Sequence, residues 1–242
     1  MGHATVLLEL DGVRLLTDPV VRDRIGPLVR VIPAVSPEVL DGIDAVLLSH
    51  LHADHTNVPS LRRVGSPLVI APRESGPWLR RRIAASVREI GAGEEQQIGP
   101  VRITATPARH DARRWPLGPR AAPIGFVIRG ATGSAYFAGD TDLFPAMADL
   151  AGSIDVALLP VSGWGPTLGP GHLDSERAAR AAAMIAPRVA VPIHWGTLAP
   201  RSPMRRHPDP GRPPQEFAAL VAQRAPGVEV RVLAPGERTV LE

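Results

Sequence analysis

Short apolar runs separated by turn residues predict a series of β-strands along this chain. Residues 5–10 and 13–17 flank Asp11-Gly12, a two-residue sequence that strongly favours the turn of a β-hairpin. Residues 43–48 form an apolar run typical of a strand buried on both faces. Further strands are predicted at 67–70, 101–105, 124–128, 134–137, 154–159 and 189–193.

Helical patterns lie between several of these runs. Residues 174–186 are rich in alanine and predict a helix capped by Asp174 or Ser175. Helices are also predicted at 75–89, with a solvated arginine face, and near 215–224, before a final hairpin. Residues 20–41 are punctuated by proline and predict a mobile loop rather than another element.

A set of strands followed by helices occurs once before about residue 95 and once after it. This arrangement predicts two sheets packed face to face between helical layers. We expect one α/β domain over residues 1–242, built from two similar halves at about 1–95 and 96–242.

Composition narrows the chemistry that the chain can perform. The chain has no cysteine, so any metal ion must be held by nitrogen and oxygen donors. The 27 basic residues are all arginine and the formal net charge is +3, without a basic face that would indicate nucleic-acid binding. No run approaches the roughly 20 apolar residues of a membrane span, and we see no secretion signal, so a cytoplasmic location is expected. The oligomeric state stays open.

Four potential metal ligands follow the apolar run at 43–48. His50, His52, Asp54 and His55 place three imidazoles and one carboxylate within six positions, a donor set that suits zinc. If the chain is still extended there, His50, His52 and Asp54 lie on one side and His55 on the other, which indicates two metal ions. The alternative is a solvated, histidine-rich loop.

Three more candidate ligands stand at the ends of later predicted strands. His110 follows residues 101–105, Asp140 follows 134–137, and His194 follows 189–193. Taken singly, each histidine is more often structural and the aspartate a turn residue. Their shared position at strand ends favours metal binding.

The motif His50-x-His52-x-Asp54-His55 resembles the HxHxDH signature of the metallo-β-lactamase superfamily. That resemblance implies a four-layer αββα sandwich with two metal sites at one edge. The implied ligands are His50, His52 and His110 for the first ion, Asp54, His55 and His194 for the second, and Asp140 as the bridge. Zinc is the expected metal, with Mn²⁺ or Fe²⁺ as alternatives. A water shared by two cations about 3.5–4 Å apart is acidified, which makes hydroxide available near neutral pH.

Local sequences resemble one branch of the superfamily, the group of N-acyl-phosphatidylethanolamine phospholipase D and ascorbate-6-phosphate lactonase. These sequences are Gly-His-Ala-Thr at 2–5, Pro-Ala-Arg-His at 107–110, Gly-Asp-Thr at 139–141, Gly-His-Leu at 171–173 and Pro-Ile-His-Trp-Gly-Thr at 192–197. The resemblance implies hydrolysis of a small anionic molecule. His3 has two open roles, one at the metal site and one as a structural hydrogen-bonding residue.

The predicted catalytic residues are Asp54 and His172. His172 lies in a Gly/Pro-rich loop, where it contacts substrate or donates a proton; the alternative is that it anchors the loop. We expect Arg113 or Arg114 to bind an anionic group of the substrate through its guanidinium, and Trp164 to line the substrate pocket. For both arginines a solvated surface position is the alternative, and for Trp164 a position in the core.

The predicted function is a dinuclear metal-dependent hydrolase that uses a metal-bridging hydroxide on a small anionic ester, phosphodiester or lactone. The alternatives are a metal-binding protein of the same fold without turnover, a β-lactamase, or a nuclease. A nuclease would need a nucleic-acid-clamping domain between Asp140 and His194, and that segment is too short. A flavin-linked oxidoreductase would need a further carboxy-terminal domain.

Overall fold

Three sheets and four α-helices make up the part of the chain that the structure describes. The structure is a computed structural model that describes residues 1–65 and 67–241. Its strands are β1 (Leu7–Leu10), β2 (Val13–Thr17), β3 (Arg24–Ile25), β4 (Leu28–Arg30), β5 (Ala45–Leu47), β6 (Leu68–Pro72), β7 (Val87–Ile90), β8 (Glu95–Ile98), β9 (Val101–Pro107), β10 (Ile124–Arg129), β11 (Ser134–Phe137), β12 (Val156–Pro160), β13 (Val189–Ile193), β14 (Leu198–Pro200) and β15 (Glu229–Val230). Its helices are α1 (Val58–Val64), α2 (Gly76–Arg80), α3 (Ser175–Ile185) and α4 (Arg212–Arg224).

The first sheet has the order β1-β2-β5-β6-β7. It opens with the predicted hairpin, in which β1 and β2 pair antiparallel. Asp11 (φ 48°) and Gly12 (φ 79°) turn the chain with positive φ angles, as a type I′ turn requires. From β2 onwards the neighbours are parallel, so β5 lies between β2 and β6 and is buried along its length. The strand that leads to the ligand motif is therefore central.

The second sheet has the order β15-β13-β12-β11-β10-β9-β8. Strands β8 to β11 form an antiparallel meander, and β11, β12, β13 and β15 pair in parallel. A small third sheet, β14-β4-β3, joins the segment after β13 to the segment after β2.

The apolar core lies between the two large sheets. Leu47 and Ile70 of the first sheet pack in one cluster with Phe126, Phe137 and Leu158 of the second. Burying each such large side chain stabilises the fold by about 1.5–3 kcal/mol relative to exposure.

A further cluster covers the outer face of each large sheet. Leu61 of α1 and Leu79 of α2 pack with Val46 of the first sheet. Ala178 of α3 and Phe217 of α4 belong to the cluster on the second sheet. The layers are thus helix, sheet, sheet and helix, which confirms the predicted αββα sandwich.

The predicted helix at 174–186 is confirmed as α3, and its cap is Asp174 rather than Ser175. The Asp174 carboxylate accepts a hydrogen bond from the backbone N–H of Arg177 at 2.8 Å. The helix predicted near 215–224 is α4, which begins earlier, at Arg212. Among the described residues, every helix is too short or too polar to cross a bilayer.

Three predicted elements were wrong. The helix predicted at 75–89 ends at Arg80, because residues 87–90 pair with β6 as a strand instead. The loop at 20–41 contains the β3–β4 hairpin and a 3-10 helix at Pro37–Leu40. Instead of a final hairpin, the described part of the tail has β15, which pairs in parallel with β13.

Candidate metal centre

All seven predicted ligands lie beside strand ends at one edge of the two large sheets. The ligand motif follows β5, and its residues 50–56 are called the ligand turn below. His110 follows β9, Asp140 follows β11, and His194 follows β13 directly. The packing of the sheets brings these four chain segments together.

The ligand turn does not continue as an extended strand. The backbone N–H groups of His55 and Thr56 both donate to His52 O, at 3.1 and 2.8 Å, so the chain folds back after His52. The expectation that Asp54 shares a side with His50 and His52 was therefore wrong. Asp54 instead joins His55.

The first group of donors consists of His50, His52 and His110. One nitrogen from each lies within 4.8 Å of the others. His52 Nδ1 and His110 Nε2 are 3.0 Å apart. The side chains of His50 and His110 are buried, whereas His52 is half-buried.

The second group contains Asp54, His55 and His194, together with His3. One donor atom from each lies within 4.8 Å of the others. His55 Nε2 lies 3.1 Å from His194 Nε2 and 3.9 Å from Asp54 Oδ2. The grouping matches the second metal site that the superfamily resemblance implies, with His3 added.

Asp140 stands between the two groups. Its Oδ2 lies 3.1 Å from His55 Nε2 and 4.0 Å from His110 Nε2, and its Oδ1 lies 3.3 Å from His194 Nε2. The carboxylate thus faces members of both groups, as a bridging ligand would.

Outer acceptors determine which nitrogen of each ligand histidine carries a proton. In every case the nitrogen that points away from the cluster lies within hydrogen-bond distance of an oxygen. The pairs are His50 Nδ1 with Ser49 Oγ (3.0 Å), His52 Nε2 with Arg113 O (2.8 Å), His55 Nδ1 with Asp18 Oδ2 (2.7 Å), His110 Nδ1 with Gly171 O (2.8 Å), and His194 Nδ1 with Ser162 O (2.6 Å). In a neutral imidazole the inward nitrogen is then a lone-pair acceptor.

Facing lone pairs show that these residues fit a divalent cation. When both rings are neutral, the inward nitrogens of His52 and His110, 3.0 Å apart, have no proton to share. The inward nitrogens of His55 and His194 face each other in the same way at 3.1 Å. Within the described part of the chain, buried His50 Nε2 and Asp140 Oδ1 also have no hydrogen-bond partner. Zinc bonds nitrogen and oxygen at about 2.0–2.2 Å, so a cation among these atoms would satisfy them together.

The protonation of the cluster suits metal binding at most positions. Burial lowers the pKa of His50 well below its usual value, that of His110 to about 4 and that of His194 to about 3, which keeps these imidazoles neutral. Burial alone would raise the pKa of Asp140, but the surrounding histidines, His194 first, hold it well below its usual range. His55 differs: although burial opposes its charge, Asp140 and Asp18 raise its pKa, so a proton and a cation compete for Nε2.

Asp18 is a site residue that was not among the predicted ones. Asp18 Oδ2 accepts hydrogen bonds from His55 Nδ1 and from Ser49 Oγ, and Asp18 Oδ1 accepts from Ser49 N at 2.7 Å. Ser49 Oγ in turn accepts a hydrogen bond from His50 Nδ1. One buried carboxylate therefore orients a histidine in each donor group. The available signal was its place in Thr17-Asp18-Pro19 at the end of β2.

His3 is nearly fully buried, with 3% of its surface exposed, and contacts the second donor group. Its Nε2 lies 3.2 Å from Asp54 Oδ2, and its ring centroid is 3.9 Å from that of His194. Its carbonyl accepts the backbone N–H of His194 at 2.9 Å. The structure therefore places His3 at the cluster.

Backbone strain is concentrated at this centre. His3 (φ 53°), Asp18 (φ 32°) and His194 (φ 65°) all have positive φ, which costs a non-glycine residue about 1–2 kcal/mol. The backbone hydrogen bond from His194 N to His3 O joins two of these strained positions, and all three side chains contact residues of the donor groups.

The other predicted site residues have different surroundings. His172 lies beside Asp140, with Nε2 3.5 Å from Asp140 Oδ2 and Nδ1 3.0 Å from Gly169 O. Arg113 is exposed beside His52, and Trp164 is 42% exposed. Arg114 instead directs Nη1 to the carbonyls of Leu51 and Thr56, the second at 2.9 Å.

Comparison with known proteins identifies the family. The sequence model described as "Beta-lactamase superfamily domain" matches residues 13–195. The chain belongs to the beta-lactamase superfamily. Relatives at 35% identity are named UPF0173 metal-dependent hydrolase, one from Methanopyrus kandleri and one from Opitutus terrae; each match covers 98% of this chain and 96% of the relative.

A solved structure of the same fold is a metallo hydrolase from the hyperthermophilic archaeon Ignicoccus hospitalis. It matches with a TM-score of 0.76 and 26% identity over 100% of this chain and 96% of that chain. The metallo-β-lactamase fold is thereby established. The narrower resemblance to the phospholipase and the lactonase stays a prediction.

Proposed function

We propose that this member of the superfamily is a hydrolase that binds two divalent cations, zinc being the best match to the donors. In this proposal His50, His52 and His110 hold one ion, and Asp54, His55 and His194 hold the other. Asp140 is shared between them. The names of the relatives, which are metal-dependent hydrolases, support the reaction class.

The observation that carries the proposal is the pairing of inward nitrogens. Two pairs of histidine nitrogens face each other at 3.0 and 3.1 Å while their outer nitrogens are engaged by other acceptors. Because each pair lies in a different donor group, the arrangement supports two ions rather than one. Divalent ions bound there would polarise a substrate oxygen and acidify a water for attack.

The residues of the chain supply orientation and proton transfer. Asp18 and the backbone carbonyls fix the tautomers, so the ligands need no reorganisation when the cations bind. His172 donates Nδ1–H to Gly169 O, and its Nε2 points to the Asp140 side of the cluster. Although burial opposes its charge, Asp140 raises the pKa of His172, which favours the imidazolium form. In that form Nε2 also carries a proton, which it would donate to a leaving group, so His172 is the proposed general acid.

We propose a small anionic ester, phosphodiester or lactone as the substrate. Arg113 lies next to His52, whose Nε2 lies 2.8 Å from Arg113 O, and Arg113 is exposed. Exposed Trp164 would supply an apolar wall on the loop that precedes His172. The local sequences shared with the phospholipase and lactonase branch support the same substrate class.

The direct test combines metal analysis with a substrate panel. Elemental analysis of the gently purified protein should find close to two divalent ions per chain. The zinc-loaded protein would then be assayed against chromogenic phosphodiesters, phosphomonoesters, lactones, carboxylate esters and β-lactams.

Three results would contradict parts of the proposal. Saturation at one ion per chain with zinc and with manganese would exclude the dinuclear site. Two bound ions without turnover of any member of the panel would instead favour a metal-binding protein. Turnover of β-lactams alone would replace the proposed substrate class.

A further inference from the structure

Arg114 contacts the ligand turn rather than open space. Its Nη1 donates to Leu51 O and to Thr56 O, the second at 2.9 Å. These two carbonyls flank the segment 52–55, which carries three of the proposed ligands. One nitrogen thus connects the two ends of the turn.

The backbone beside Arg114 belongs to a small hairpin, residues 112–121, called the flap hairpin below. Arg114 N donates to Pro119 O at 3.1 Å, Ala121 N donates to Ala112 O at 2.9 Å, and Arg113 and Arg120 form an isolated β-bridge. The same hairpin supplies Arg113 O, which orients His52 through Nε2 at 2.8 Å. The flap hairpin therefore contacts the ligand turn through a backbone atom and through a side chain.

Two aromatic rings flank the Arg114 guanidinium. Its central carbon lies 4.5 Å from the ring centroid of Trp78 in α2 and 5.6 Å from that of Trp115. Arg82 stacks on the same Trp78 ring at 4.4 Å. A planar guanidinium suits this stacking as an ammonium does not. Burial lowers the pKa of Arg114 to about 10, so the group remains charged at neutral pH.

We propose that Arg114 is a positioning residue of the metal centre. Its contacts hold the ligand turn against α2 and the flap hairpin, so that His52, Asp54 and His55 are oriented toward the cation sites. For Arg114 this role replaces the substrate clamp expected of Arg113 or Arg114, because Arg114 Nη1 donates to two backbone carbonyls. The positioning role rests on the proposed metal binding, but its test needs no substrate.

The chain offers a matched control in the neighbouring arginine. Arg113 is exposed, and the contact that the structure gives it with the ligand turn is through its backbone oxygen. Arg113→Met and Arg114→Met therefore remove the same group from adjacent positions of one hairpin, and only the second removes a side-chain contact with the turn.

The experiment measures zinc affinity by competition with a chromogenic chelator, using the metal-free full chain. Arg114→Met should weaken zinc binding by about 10–100-fold, the usual effect of losing a group that orients metal ligands, while Arg113→Met stays near wild type. The Co²⁺-loaded Arg114→Met protein should also show an altered visible absorption spectrum, which a purely structural role would not produce. Arg114→Lys keeps the charge without the planar stack, so its affinity should lie between those of wild type and Arg114→Met.

Equal zinc affinity and equal Co²⁺ spectra for the two methionine variants would overturn the positioning role. If wild type itself binds no metal, the proposed function fails instead, so the two failures are distinguishable. If Arg114→Met does not fold, Arg114→Lys decides: wild-type affinity in that variant contradicts the role, and weakened affinity with an unchanged melting temperature of the metal-free protein supports it.

Discussion

At the scale of residues, the centre is organised by hydrogen bonds that point away from it. Each ligand histidine has one nitrogen committed to an outer acceptor, and these acceptors are mostly main-chain carbonyls or the Asp18 carboxylate. Because the acceptors are held by the fold, the inward nitrogens converge before any cation is bound. Preorganisation of this kind raises metal affinity by removing the cost of ordering the ligands.

The proposed bridging role of Asp140 leads to the first prediction. Asp140→Ala should lower occupancy at both metal sites, because Asp140 faces histidines of both donor groups. His194→Ala should lower occupancy chiefly at the second site. Elemental analysis after dialysis measures the metal content of both variants. His207→Ala is the control, because His207 lies outside the donor groups. Equal loss at both sites in the two variants would contradict the bridge.

The position of His172 leads to the second prediction. His172→Ala should leave metal content intact while kcat falls by about 10²–10⁴, the range for loss of a general acid. The fall should shrink for substrates with good leaving groups, since these need no proton. Steady-state kinetics over a leaving-group series tests this. Equal kcat in wild type and variant across the series, or loss of metal along with activity, would return His172 to a loop-anchoring role.

At the scale of elements, strands end at the metal centre and helices pack on the outer faces of the sheets that contain these strands. A proposed ligand follows within three residues of the end of each of four strands, β5, β9, β11 and β13. The helix α3 follows the loop that carries His172 and packs on the second sheet. Its first turn has one side-chain cap, the Asp174 carboxylate.

The cap supplies the third prediction. Asp174→Ala should reduce the free energy of unfolding by about 1 kcal/mol, because the N–H of Arg177 loses its acceptor. Urea denaturation measures the change. Asp149→Ala removes the same side chain from an exposed position and should change stability by less than about 0.5 kcal/mol. Similar losses in the two variants would show that the cap contributes nothing specific.

At the scale of the whole molecule, the centre joins the two halves of the sandwich. Asp18 and the ligand turn come from the side of the first sheet, and His110, Asp140 and His194 come from the side of the second. Cations held between these segments would therefore cross-link the sheets at one edge. A cation that binds the folded state and not the unfolded state stabilises the folded state by mass action.

Metal removal is the fourth prediction. A free zinc concentration 100 times the Kd of one site adds about 2.7 kcal/mol to the free energy of unfolding. A chelator should therefore lower the melting temperature by about 5–10 °C for a chain of this size. Differential scanning calorimetry with and without chelator, and after zinc is restored, measures the shift. Asp140→Ala should show a smaller shift. An unchanged melting temperature in the chelated wild type would contradict metal binding at this edge.

The sequence alone determined the elements whose signals are local. The Asp11-Gly12 turn, the buried strand before the ligand motif and the Asp174-capped helix depend on residues within a few positions of one another, and the structure has all three. The αββα architecture followed from the order of strands and helices together with the motif at 50–55. Local periodicity and turn chemistry were sufficient for the turn, the strand and the helix, whereas the four-layer sandwich also needed the family resemblance that the motif at 50–55 carries.

Only the tertiary structure decided the features that depend on distant partners. Residues 87–90 form a strand because β6 offers a free edge, although their own pattern favoured a helix. Asp54 joins His55 because the ligand turn folds back, and Asp18 reaches His55 because β2 and β5 are neighbours. Arg114 contacts carbonyls about 60 positions away in the chain. Such contacts form when the sheets and their loops pack together, and no short-range pattern in the sequence encodes them.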